Sequence, residues 1–260
     1  MDNILKAISV KDIVIGTGIP KIAVPIIEMT QEEIIQKVVN LDKEKIDIVE
    51  WRVDFYKDVF DIKKVLKTLS ELRTAIPNVP IIFTFRTKKE GGEKEISMDY
   101  YTFLNKTVAE SGNVDLIDVE IFSDELIVEQ NIKSIHEANV FVIGSNHDFL
   151  KTPKKEDMIS RLKKIESLGA DILKLAVMPR NIEDVLNLLW VTSDMKKHTK
   201  KPIITIAMGS LGVISRISGE FFGSDVTFGA MGEISAKGQM PVAELYNTLK
   251  MLHDKINQAP

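Results

Sequence analysis

A closed (β/α)8 barrel is the fold class this α/β sequence predicts, and three observations predict it. Short apolar runs rich in β-branched residues recur eight times, at a spacing of roughly 30 residues. A longer amphipathic stretch follows each run, which implies parallel strands joined by helical crossovers. The chain has 260 residues, a length that such a barrel takes as one domain. A doubly wound open sheet usually carries a glycine-rich turn after its first strand, and no GxGxxG occurs here. Gly16 and Gly18 instead precede the first barrel strand.

Residues 4–15 read as a β-hairpin that plugs the bottom of the barrel, so residues 1–19 cap a single domain spanning 1–260. The strand runs are 21–26, 46–52, 80–86, 114–120, 140–145, 172–177, 203–207 and a weaker 226–230. Thr30 suits the N-cap of a helix over 31–40. Helical patterns over 61–76, 100–111, 124–138, 155–168 and 182–197 follow the next five strands. A shorter segment over 210–218 follows the seventh. The chain ends on a helix over 241–257, with Pro241 at N1, where its missing N–H is tolerated.

Apolar residues make up 44% and charged residues 28% of the chain, an ordinary globular balance. The formal charge of −4 counts against a nucleic-acid partner, because such proteins usually carry a basic excess. The absence of cysteine excludes disulfides, thiolate nucleophiles, iron–sulfur clusters and Cys-based zinc sites. No apolar run reaches the roughly 18 residues that suit a bilayer. The first residues carry scattered charges and no signal-peptide core. The expectation is a cytoplasmic protein acting on a small molecule, away from membranes.

Barrel strands are covered on both faces and read as apolar runs, so charges inside them are the informative exceptions. Glu50 and Arg52 lie two apart and share a strand face. The third run ends at Arg86, the fourth at Asp118-Val119-Glu120, and the fifth leads into His147-Asp148. Lys174 sits inside the sixth. Five consecutive strands thus place ionisable groups at similar depth. Desolvated charges seldom stabilise a core, so the pattern points to a polar site at the C-terminal mouth, where barrel enzymes build their active sites.

Lys174 is flanked by Ile172, Leu173, Leu175, Ala176 and Val177. As a structural residue it would pair with Asp118 or Glu120. As a catalytic one, desolvation and nearby cations would leave its amine neutral, free to attack a carbonyl and form a Schiff base. Of the four histidines, His147 alone falls at a strand C-terminus, where an imidazole can move protons near neutral pH. Glu90, in the Lys-Lys-Glu-Gly-Gly loop after the third strand, could turn toward His147 and orient its ring. Arg216 is either a surface helix residue or the grip on a substrate carboxylate. Ser235 and Gln239 flank Gly238 in a segment suited to a lid over a polyol. Asp118 and Glu120 could ligate magnesium, but Arg52, Arg86 and Lys174 already supply cations, and no metal is expected.

These pieces resemble one family along nearly the whole chain. They are Glu50-Trp51-Arg52-Val53-Asp54, Phe83-Thr84-Phe85-Arg86-Thr87 with Glu90-Gly91-Gly92-Glu93, Asp118-Val119-Glu120, Ser145-Asn146-His147-Asp148-Phe149, Lys174-Leu175-Ala176, Met208-Gly209 and Gly238-Gln239. The set resembles type I 3-dehydroquinate dehydratase. The resemblance implies a (β/α)8 homodimer without metal or organic cofactor, working in the shikimate route to aromatic compounds. It implies that Lys174 forms an imine with 3-dehydroquinate, that His147 is the general acid/base and that Glu90 orients it. It further implies that Arg216 clamps the carboxylate, that Glu50, Arg52 and Arg86 bind hydroxyls and set the charge network, and that Ser235 and Gln239 are lid contacts. Two departures stand out. Lys237 occupies a position where the family often has proline, and Pro25 ends the first strand where a small polar residue would suit a substrate contact. A class I aldolase on the same barrel and a non-catalytic binder of polyhydroxy acids are the alternatives.

Overall fold

Strand runs and helical patterns fold in the expected alternation. The structure, a computed structural model, describes residues 7–232 and 238–258. It opens on an antiparallel hairpin, β1 (Ile8–Val10) and β2 (Ile13–Ile15). Then come β3 (Lys21–Ile26), α1 (Gln31–Val39), β4 (Ile48–Arg52), α2 (Ile62–Ala75), β5 (Ile81–Thr84) and α3 (Met98–Glu110). These are followed by β6 (Leu116–Glu120), α4 (Glu125–Glu137), β7 (Phe141–Asp148), α5 (Lys155–Ser167), β8 (Ile172–Val177) and α6 (Ile182–His198). After β9 (Ile203–Ala207) the chain makes a 3-10 turn (Ser210–Gly212) and two short helices, α7 (Val213–Ile217) and α8 (Gly219–Phe222). It ends with β10 (Val226–Ala230), a two-residue β11 (Met240–Pro241) and α9 (Val242–Ile256).

The strands β3 to β9 pair in sequence, all parallel, and β10 pairs with β3. Between β9 and β10 a seam of hydrogen bonds replaces a ladder. Asp225 N–H donates to Ile203 O at 2.7 Å, and Thr205 N–H donates to Ser224 Oγ at 3.1 Å. Three local details differ from the sequence reading. β7 runs on to Asp148, which carries His147 within the sheet. Pro241 is the N-cap of α9 and not N1, its ψ of 138° being extended. Helix α3 begins at Met98, because the Ser97 hydroxyl accepts the Tyr100 N–H.

Period-two alternation sorts every strand into two faces. Ile22, Val49, Phe83, Val119, Val142, Leu173 and Ile203 face outward and form the layer beneath the helices. Ile48, Ile82, Leu116, Ile143, Ile172, Ile204 and Val226 face inward at the N-terminal end, where Ile8, Val10 and Ile15 of the hairpin pack against them. The hairpin therefore closes the bottom with apolar surface. Further along β4 to β8, the inward positions become polar.

A device not read from the sequence secures the same N-terminal face. Asp47, Asp115, Asp171 and Asp225 each stand just before a strand. Their carboxylates accept the N–H of Ile22, Ile81, Val142 and Ile203 on the neighbouring strand, at 2.7–2.8 Å. Three of them also hold a basic group from a helix: Arg73 with Asp115, His136 with Asp171 and Lys196 with Asp225. Among the described residues, no helix is long and apolar enough to cross a membrane.

Candidate active site

From the apolar floor upward, each inward row turns polar on β4 to β8. Ile48 leads to Glu50 and Arg52, Ile82 to Thr84 and Arg86, Leu116 to Asp118 and Glu120. Ile143 leads to Ser145 and His147, and Ile172 to Lys174. On β9 and β10 the inward residues stay apolar, as Ile206, Met208 and Phe228. A cavity of about 370 Å³ lies at this mouth. Lys174, His147, Glu90, Glu50, Arg52, Arg86, Arg216 and Gln239 all line it. Ser235 and Lys237 fall outside the described residues. Pro25 is buried in register with Glu50 and is not part of the lining.

Lys174 is 4% exposed. Its Nζ donates to Asp118 Oδ2 at 2.8 Å, lies 3.7 Å from Glu50 Oε1, and sits 4.8 Å from the centre of the Phe228 ring. The nearest charges are therefore carboxylates, not the cations expected to surround it, and the Asp118 pairing weighed from the sequence is present. Glu50 is held by the Thr84 hydroxyl, which donates at 2.9 Å.

Asp118 also takes Arg86 Nη2 at 2.7 Å and Ser145 Oγ at 2.6 Å. Burial alone would raise its carboxyl, but the charges of Arg86, Lys174 and His147 outweigh burial and hold it far below the usual range. Arg86 in turn bridges to Glu120 at 3.0 Å, and Glu120 accepts the Thr87 N–H and hydroxyl. Asp118 and Glu120, considered above as magnesium ligands, thus both serve the Arg86 guanidinium. Burial disfavours that cation, yet Asp118, Glu120 and Glu90 together keep it charged well beyond the ordinary arginine range.

Glu90 reaches the cavity because its loop folds back on the strand ends. Gly92 N–H returns to Thr87 O at 2.9 Å, and a Cβ on Gly92 would fall 1.9 Å from the Arg86 carbonyl oxygen. Glu90 Oε2 accepts both the backbone N–H of His147 and its Nδ1, each at 2.9 Å. Phe149 stacks near the ring, with centroids 6.3 Å apart. Burial, then the negative charge of Glu120, pushes the Glu90 carboxyl up to about 8. Burial, then Arg86 and Lys174, pushes the His147 imidazole well down. The pair has two states that differ by one proton. With Glu90 ionised, Nδ1–H donates to Oε2 and Nε2 offers a lone pair. With Glu90 protonated, Oε2–H donates to Nδ1 and Nε2 carries the ring N–H. One pair thus supplies a base and an acid.

Arg52 is clamped by Asp54 through two bonds of 2.9 Å. Asp54 is fully buried and also accepts the backbone N–H of Arg86 and of Glu93, so it anchors both the arginine and the Glu90 loop. The sequence alone gives Asp54 no such role. Arg216 is 3% exposed, and burial pushes it down to about 10, still a cation at neutral pH.

Comparison with known proteins places the chain in a family. Residues 22–256 match the model of the family described as type I 3-dehydroquinase. The 3-dehydroquinate dehydratase of Clostridium kluyveri is 50% identical over 247 residues, 94% of this chain and 97% of that protein. That of Clostridioides difficile is 50% identical over 253 residues, 97% of this chain and 99% of that protein. A crystal structure of type I 3-dehydroquinate dehydratase from Clostridium difficile, with covalently modified comenic acid, has a TM-score of 0.94 and 49% identity, covering 97% of this chain and 100% of that one. The Geobacillus kaustophilus 3-dehydroquinate dehydratase gives 0.93 at 35% identity, with 98% and 99% covered. Sequence and fold agree over nearly the full length of both partners: the chain belongs to the type I 3-dehydroquinase family.

Proposed function

We propose that the protein dehydrates 3-dehydroquinate to 3-dehydroshikimate through an imine on Lys174, with His147 as general acid/base and Glu90 as its orienting partner. The observation that carries this reading is one cavity, closed below by apolar residues, that holds both a buried amine and an imidazole backed by a buried carboxyl.

Attack on the ketone needs a lone pair on Nζ, so a proton first leaves Lys174. The His147–Glu90 pair, with its raised carboxyl, is the acceptor at the mouth best suited to take it. Nζ then bonds to the ketone carbon, the pair returns its proton to the ketone oxygen, and loss of that oxygen as water leaves an iminium and frees Nε2 to act again. The iminium nitrogen is a better electron sink than a ketone oxygen. His147 Nε2 removes the proton from the adjacent carbon, and the electron pair moves into an enamine. The enamine expels the β-hydroxyl, which leaves as water with the proton returned by His147. A second water hydrolyses the iminium, restoring Nζ and the product ketone. Arg216 would hold the substrate carboxylate, Glu50, Arg52 and Arg86 its hydroxyls and the charge network, and Ser235 and Gln239 the closing lid.

Reduction during turnover tests this. Borohydride added to enzyme and 3-dehydroquinate should add the mass of a reduced adduct to the peptide containing Lys174, and none in Lys174→Met. A protein that turns over substrate without any gain on that peptide would exclude the imine. The family resemblance also implies a homodimer, which sedimentation equilibrium tests by giving twice the chain mass.

A further inference from the structure

β7 turns Val142, Gly144 and Asn146 toward the helices, and the last is an unusual choice for a surface covered by α5. Gly144 explains how the two elements meet. A Cβ there would lie 2.5 Å from Ile165 Cγ2 and 2.7 Å from Ala170 Cβ, so its absence lets α5 approach closely. One helical turn before Ile165 stands Arg161, and one strand repeat after Gly144 stands Asn146. The two repeats, about 5.4 Å and about 6.6 Å, bring that second pair level.

Their hydrogen bonds have a fixed polarity. Arg161 Nη1 donates to Asn146 Oδ1 at 2.9 Å and to Asp148 Oδ2 at 3.2 Å. The Arg161 guanidinium also lies 5.9 Å from the Phe122 ring. Asn146, 7% exposed, donates from Nδ2 to Glu90 Oε1 at 3.1 Å. An arginine has only donors, so it accepts no other face of the amide than the oxygen. The Nδ2–H is thereby forced toward Glu90.

We propose that Arg161, acting through Asn146, is a positioning residue for Glu90: it pins the amide so that a donor faces the carboxyl and keeps that carboxyl available in its ionised form. This rests on the reading of Glu90 and His147 above. Without Arg161 the amide is free to turn its oxygen toward Oε1, which only a protonated Glu90 can satisfy. The other groups around Glu90 are Arg86 beyond β5, Asp118 and Glu120 of β6, His147 of β7 and Lys174 of β8. On its outer side lie Lys88, Lys89, Glu95 and Tyr101, which line a second cavity with it. They stay unchanged in the variants below, so the amide's orientation is the variable.

The pH profile of kcat/KM reads the outcome. Arg161→Met should move its ascending limb upward by about half a unit or more. Arg161→Lys, which still donates to Oδ1, should restore the wild-type limb. Asn146→Asp keeps a partner for Arg161 but places a like charge on Glu90, and should move the limb upward too. In an Asn146→Ala background, Arg161→Met should produce no further shift, because its effect passes through the amide. An Arg161→Met profile lowered at every pH but unshifted would overturn the proposal, as would an additive shift in the Asn146→Ala background. If Glu90→Gln retained the wild-type limb, the assignment of Glu90 itself would fail, and this inference with it.

Discussion

Replacing Asp118 by Asn tests the charge network at its centre. Asp118 is 1% exposed and accepts from Lys174 at 2.8 Å, Arg86 at 2.7 Å and Ser145 at 2.6 Å. An amide keeps the shape but turns an N–H toward one of the two cations, and it removes the charge that separates them. A hydrogen bond to a charged group contributes about 1.5–3 kcal/mol. Removing one member of a buried pair costs about 3–5 kcal/mol. In a chain of this size each kcal/mol moves the thermal midpoint by roughly 2–4 °C, so the variant should melt roughly 6–20 °C lower. Scanning calorimetry of both proteins measures this. The pH dependence has a definite sign. The folded carboxyl is held below its unfolded value of about 3.9, so its stabilisation is fully present above that value and is lost as pH falls through the folded one. The deficit of the variant should therefore stay constant from about pH 6 to 8 and narrow only in strong acid. A midpoint lowered by less than about 3 °C, or a deficit that vanishes between pH 6 and 8, refutes the network as described.

Three further outcomes follow from the same geometry. His147→Ala should bind ligand nearly as wild type in a calorimetric titration while initial rates fall about 10²–10⁴-fold; near-normal turnover would remove the acid/base role. Glu90→Gln should abolish the limb of the kcat/KM profile that tracks the raised carboxyl and expose a limb at lower pH, set by the imidazole that burial pushes down. A limb that stays in place contradicts the pairing. Asp115→Ala should lower the urea midpoint by the equivalent of about 1–3 kcal/mol, because the Ile81 N–H loses its acceptor. Activity below the transition should not change, and an unmoved midpoint means that the strand-edge carboxylates are dispensable.

The barrel was legible because its strands are buried on both faces, which leaves apolar runs that stand out between amphipathic helices. The mouth was legible for the same reason reversed: Glu50, Arg52, Asp118, Glu120 and Lys174 interrupt those runs at period two. What escaped had no such contrast. Asp47, Asp115, Asp171 and Asp225 precede strands, where aspartate reads as an ordinary turn residue. Ile206, Met208 and Phe228 line the cavity but look like any core residue. Asn146 stood inside a quoted motif, yet its value depends on α5 packing close enough for Arg161 to reach it, and no spacing in the sequence shows that. The partner charges of Lys174 were half legible. Asp118 was named as a possible partner, but which sign of charge would dominate around Nζ depends on strand register: Ser145 sits opposite Lys174, and Thr84 opposite Asp118.

That register bears on the proposed chemistry. A lysine ammonium and the iminium that replaces it both carry positive charge on the same nitrogen. Asp118 at 2.8 Å and Glu50 at 3.7 Å are fixed by Arg86, Ser145 and Thr84 and need not move between the two states. Preorganised charge of this kind avoids reorganisation when the reaction proceeds. The enamine is the stage at which the nitrogen loses that charge, and there the proton taken from carbon resides on the His147–Glu90 pair. The raised Glu90 carboxyl is suited to hold it. Arg216 stands apart from this exchange, near the apolar wall, where Phe228 O accepts from its Nη1 at 3.4 Å. A cation desolvated by the fold attracts a ligand anion more strongly than one in water. In the proposed reaction this division would give the cavity a permanent anchor for the substrate's charge on one side and, on the other, a set of charges arranged for protons that move.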